Sequence, residues 1–185
     1  MNVLLYFGLF NCLLIPAAVY MLWIKNHRFN FIETPLSYAG ITETKRQFVF
    51  LTSLATLIEL LFLIFILNVT NLVSNKILIV LAIVGFAGIF TTASTPFGKP
   101  RIHRAGIRIM ITAMTFWSFY YHYLLLFISP VIAYIGFGLS VASFVGVLYL
   151  YFYIKSKGLT ELFFITIVLF WNILMSYFLF MNVSV

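Results

Sequence analysis

The chain predicts an all-α fold: a polytopic integral membrane protein in which a six-helix transmembrane bundle forms one domain over residues 1–185. Three observations carry that expectation. Of the 185 residues, 64% are hydrophobic and 8% charged, at a mean hydropathy of +1.12, which is outside the range of water-soluble domains. A hydrocarbon core of about 30 Å takes roughly 20 apolar residues in a helix, and six windows of that length occur. The basic residues, finally, fall almost entirely in alternate connections, as positive-inside bias requires.

The windows cover about 3–24, 47–68, 77–95, 106–128, 131–154 and 160–181. The first reads as a helix rather than a signal peptide, because "MN" supplies no basic n-region and the apolar run is long; "IPAAVY" keeps cleavage open as the alternative. Windows four and five meet at Ser129-Pro130, where proline withholds a backbone donor and predicts a helical hairpin with a tight turn. Spans three and five carry small residues on one face, Ala82, Gly85 and Gly88 in the former and Gly138, Ala142 and Gly146 in the latter. Such faces let backbones approach closely, within the molecule or between subunits.

Loop one holds Lys25, Arg28, Lys45 and Arg46; loop three and its flank hold Lys99, Arg101, Arg104 and Arg108; loop five holds Lys155 and Lys157. Only Lys76 falls on the other side. The distribution predicts loops one, three and five in the cytoplasm and both termini outside. A formal net charge of +7 would suggest nucleic acid in a soluble protein. Here topology accounts for it, and anionic headgroups are the natural partners, so membrane lipid is expected and nucleic acid is not. Tyr120, Tyr121, Tyr123, Tyr149, Tyr151 and Tyr153 gather near span ends, as in an interfacial aromatic belt.

Within "TLIELLFLIF", Glu59 sits about 18 Å of helical rise from the inner end of its span. A charged carboxylate at that depth is costly, so it should be neutral, paired, or facing a wet cavity. No basic residue shares its depth. His122, Asn11 and Asn172 are the polar side chains able to reach it, and the four together predict an intramembrane polar pocket for a ligand, proton or ion, or else a hydrogen bond between helices or a contact between subunits.

No catalytic set is recognisable. Aspartate is absent, the three histidines lack metal-ligand spacing, and neither a phosphate-binding glycine loop nor H-E-x-x-H occurs, so no metal or cofactor is expected. The single Cys12 excludes an internal disulfide.

Loop one, "KNHRFNFIETPLSYAGITETKRQF", mixes Phe29, Phe31, Ile32 and Leu36 with charges and should lie at the membrane surface. In it, "PLSYAGITETKRQFVF" resembles the P-x-[IL]-S-x-x-G then F pattern of the Frag, DRAM and Sfk family of six-span membrane proteins. "GFAGIFTTASTPFGKPRIHRAG" resembles the third span of that family followed by the I/V-H-x-x-[GA] start of the fourth. It is similar also to a family of uncharacterised prokaryotic six-span proteins. The matching positions are Ser37, Gly40 and His103. "ITETKR" stands where many members carry a Pro-Glu or Asp-rich turn. Eukaryotic members are linked to lipid-anchor remodelling, phosphoinositide organisation and autophagy, so the resemblance implies work on lipids and assigns no catalytic residue.

The expected function is therefore non-enzymatic binding, sensing or organising of lipid. Lys25, Arg28, Lys45, Arg46, Lys99, Arg101, His103 and Arg104 would contact anionic headgroups, and Glu59 would centre a polar pocket. The alternative is a homo-oligomeric cation channel or membrane effector with Glu59 lining the pore. A third possibility is a subunit of a larger membrane complex.

Overall fold

The computed structural model describes residues 6–25, 30, 34–35, 44–95 and 100–183, and every element among them is helical. In chain order these are α1 (Phe7–Lys25), α2 (Lys45–Val69), α3 (Lys76–Ser94), α4 (Pro100–Leu125), α5 (Pro130–Tyr149), a π-helical turn (Leu150–Ile154) and α6 (Lys157–Val183). Lys45–Val69, Lys76–Ser94, Pro130–Ile154 and Lys157–Asn182 are long and apolar enough to cross a bilayer, which marks the chain as a helical membrane protein. Phe7–Leu22 is a shorter apolar helix. The 26-residue α4 is not among the four, because Arg101, His103, Arg104 and Arg108 occupy its first turns and Ser118, Tyr120, Tyr121, His122 and Tyr123 its last ones.

Local chemistry sets the ends. Asn75 caps α3, its Oδ1 accepting from the amides of Ile77 at 3.1 Å and Leu78 at 3.2 Å. Pro130 opens α5, where a missing donor costs nothing. The π turn stops at Lys155, whose φ of 57° is left-handed, and the Ser156 hydroxyl then caps α6 by accepting from Leu159 N at 3.2 Å.

Neighbouring helices run antiparallel, as specific contacts show. Gly8 of α1 lies against Phe62 and Ser176, Asn11 against Glu59 and Asn172, and Cys12 against Leu169, so α1 opposes both α2 and α6. Thr92 lies by Gly106, Gly88 by Met110 and Gly85 by Met114. At the far end, Asn75 Nδ2 donates to the Tyr120 hydroxyl at 3.3 Å, so α4 follows α3 along its whole length. A Cβ on Gly88 would stand 2.6 Å from Met110 N and 2.9 Å from Gly106 O, so the α3/α4 crossing is backbone on backbone and tolerates no side chain there. The main core, with Phe62, Ile66, Leu67, Leu78, Trp117, Tyr121, Leu125, Met175 and Leu179, fills the end of the bundle where α2 meets α3.

Several expectations change. α4 begins at Pro100 rather than near residue 106 and ends at Leu125 rather than 128, so Arg101, His103 and Arg104 are helical rather than in a loop. The fifth stretch, Pro130–Ile154, is helical to its end but passes from α to π geometry after Tyr149. On α5 the small-residue stripe does not pack inward throughout: Gly138 has nothing within 4 Å and Ala142 is exposed, whereas Gly146 meets Phe163. The inward face of α5 is Ile132, Ala133, Gly136, Ser140 and Val147 instead. On α3, Ala82, Gly85 and Gly88 are all buried. Arg28, Ser37, Gly40 and Lys99 lie outside the described residues.

Candidate functional site

Ala55, Glu59 and Phe62 follow one another on one face of α2 at helical spacing, and that face meets α1 and α6. Glu59 lies about 21 Å of rise from Lys45 and about 15 Å from Val69, far from either end of the helix. Its Oε2 accepts from Asn11 Nδ2 at 2.7 Å and from Asn172 Nδ2 at 2.9 Å, so one carboxylate oxygen ties three helices together. Asn11 Nδ2 also reaches Ala55 O at 3.2 Å. Both asparagines are fully buried, while Glu59 is half-buried. Asn11 Oδ1, Asn172 Oδ1 and Ser176 Oγ are buried and take part in no hydrogen bond among the described residues. Ser176 stands one turn beyond Asn172 on α6.

The structure thus brings Glu59, Asn11 and Asn172 together and leaves His122 elsewhere. His122, fully buried on α4, belongs to a second node with Ser118, Ser140 and Trp171. Trp171 Nε1 can only donate, and it lies 3.3 Å from His122 Nε2, which leaves the ring proton to Nδ1. Nδ1 faces the hydroxyls of Ser118 and Ser140, each at 3.4 Å. Ser140 donates to Gly136 O at 2.8 Å, so Ser118 is the donor in the 2.6 Å contact between the two serines. Every proton in this node has an acceptor. The ring sits directly over α5, where a Cβ on Gly136 would lie 2.1 Å from His122 Cδ2 and Nε2.

His103 differs from its expected place at the headgroups. It is buried, with Nδ1 against Thr92 O at 3.1 Å and Thr95 O at 2.9 Å; two carbonyl acceptors require a proton on Nδ1. Its ring ties the start of α4 to the carbonyls left open at the end of α3. The headgroup candidates Lys25, Lys45, Arg46, Arg101 and Arg104 are exposed. Arg108, Lys155 and Lys157 are exposed too, and the antiparallel order gathers all eight at one end, opposite Lys76.

Ser118, Gly136 and Ser176 were not singled out from sequence. The available signal was periodicity: Ser118 precedes His122 by one turn, and Ser140 follows Gly136 by one turn. Among the described residues no group of three or more His, Cys, Asp or Glu could hold a metal ion. No family model, no curated protein and no solved structure matches the chain.

Proposed function

We propose that the chain is a six-span integral membrane protein that binds anionic lipid at its basic end, with loops one, three and five in the cytoplasm and both termini outside. The observation that carries this reading is the exposed collar of Lys25, Lys45, Arg46, Arg101, Arg104, Arg108, Lys155 and Lys157 at a single end of the bundle. Each such cation near an anionic surface contributes about 1 kcal/mol of attraction.

Two further features support it. Pairing favours six spans over four: α4 accompanies α3 from His103 beside Thr95 to Tyr120 beside Asn75, and α1 accompanies α6, so a bilayer crossed by α3 and α6 is crossed by their partners. Between α1 and α6, toward the basic end, runs an open apolar groove of about 300 Å³ lined by Pro16, Val19, Tyr20, Leu162, Ile165, Thr166 and Leu169. The Thr166 hydroxyl is already spent on Leu162 O at 2.9 Å, so the lining offers an acyl chain hydrocarbon contact. The resemblance to the Frag, DRAM and Sfk family points toward lipid as well. No reaction is assigned.

The test is lipid retention from nanodiscs holding phosphatidylglycerol and phosphatidylcholine, read by native mass spectrometry. Wild type should retain phosphatidylglycerol preferentially. Replacing Arg101, Arg104 and Arg108 together by Gln should remove about 3 kcal/mol of that preference. An unchanged preference would sink the reading.

A further inference from the structure

The oxygen atoms around Glu59 outnumber the donors that could serve them, an observation independent of the basic end. Both amide groups spend a proton on Oε2, Asn11 spends another on Ala55 O, and Oε1 receives none. The two amide oxygens and the Ser176 hydroxyl are buried without a partner. In hydrocarbon no bulk water compensates such groups, and each is expensive to leave bare. Among the described residues no basic side chain bonds to this carboxylate. Excess oxygen acceptors beside a negative charge are the ligand set of a small hard cation.

Amide chemistry makes the site convertible. Turning either asparagine amide by 180° exchanges Nδ2 and Oδ1. An oxygen would then stand where nitrogen now lies, 2.7 or 2.9 Å from Oε2. Two oxygens at that separation require a proton or a metal cation between them.

We infer that Glu59, Asn11 and Asn172 form an intramembrane binding site for a monovalent cation, a proton or Na⁺, whose occupancy sets the packing of α1 against α6. On α1 the titratable neighbour of the site is Cys12; Tyr6, just before that helix, is exposed. On α6 the node presents Asn172 and Ser176, while Tyr177 is exposed. His122 makes its hydrogen bonds to Ser118, Ser140 and Trp171 and none to Glu59. Cys12 is also the reporter that the chain supplies: its Sγ donates to Leu169 O at 3.6 Å, across the α1/α6 seam and next to the node.

The experiment is modification of the full-length protein in liposomes by a hydrophobic carbodiimide, which reacts with protonated carboxyls, followed by peptide mass spectrometry. Glu33, Glu43 and Glu161 in the same chain are internal references. Glu59 should be modified, with labelling that falls as Na⁺ rises at fixed pH for a sodium site, or only as pH rises for a proton site. Asn11→Leu and Asn172→Leu should each abolish that cation dependence. Labelling of Glu59 that ignores both Na⁺ and pH, or no labelling under any condition, overturns the proposal by marking the carboxyl as a fixed structural hydrogen bond. In parallel, the rate of Cys12 alkylation should respond to the cation in wild type and lose that response in Glu59→Gln. Equal responses in the two proteins overturn the coupling to packing. Neither readout depends on lipid retention, so this inference and the lipid reading can fail separately.

Discussion

The Glu59 node and the His122 node hang from adjacent residues of α6, Asn172 and Trp171, yet their hydrogen bonds close differently. Around His122 an indole N–H, a ring N–H and two hydroxyls are matched to acceptors, and no net charge is buried. Around Glu59 two donors converge on one oxygen, while two amide oxygens and a serine hydroxyl are without a partner among the described residues. A closed polar network stabilises helix contacts and has little left to bind. An open one beside a carboxylate retains binding capacity, and that difference separates a packing device from a candidate site.

The largest expected effect tests the packing device. Gly136→Ala would drive a methyl into the His122 ring, 2.1 Å from two of its atoms. The ring is enclosed by Ser118, Ser140 and Trp171, so it cannot swing away cheaply. Destabilisation of about 3 kcal/mol is expected in reversible unfolding from detergent micelles. His122→Ala alone should cost about 2 kcal/mol through the cavity it leaves. The double variant should be more stable than the sum of the two losses predicts, because each change relieves the other. Strict additivity would show that the ring does not rest on Gly136.

The comparison also separates what the sequence discloses from what it withholds. The hydropathy windows fall within a few residues of the helix bounds except at the start of α4, because a helix can run on through polar residues such as Arg101, His103 and Arg104 that an apolar window excludes. Glu59, Asn11 and Asn172 were legible as rare polar residues at depth. Grouping His122 with them was not correct, and the reason is angular. Successive residues on a helix project about 100° apart, so Trp171 and Asn172 face different neighbours. Which helix stands on each side of α6 is a property of bundle packing, and no spacing in the chain encodes it.

Next in size is the loss of the carboxylate. Glu59→Ala strands two buried amide donors and should cost about 2 kcal/mol. Glu59→Gln keeps a side-chain oxygen able to accept from both asparagines, and should stay within about 0.6 kcal/mol of wild type, the mean measured for hydrogen bonds between membrane helices. The pair of variants therefore splits packing from charge: Gln preserves the junction of α1, α2 and α6 and removes only the acid. If Gln proved as damaging as Ala, the charge itself would be holding the helices together.

Within the His122 node the smallest effect belongs to Ser140. Its hydroxyl donates to Gly136 O, one turn back on its own helix, and accepts from Ser118 at 2.6 Å. In Ser140→Ala, the carbonyl of Gly136 remains placed for its ordinary helical hydrogen bond, and His122 Nδ1 retains Ser118. Only the Ser118 proton loses its acceptor, and Ser118 can turn toward a backbone carbonyl within α4. Ser140→Ala should thus cost about 0.6 kcal/mol, and adding it to Asn172→Leu should give a simple sum, because the two nodes share a helix but no hydrogen bond. A coupling above about 0.5 kcal/mol in that double variant would show that Trp171 transmits strain between them. The His122 network would then be a wall of the Glu59 site rather than a separate fastening.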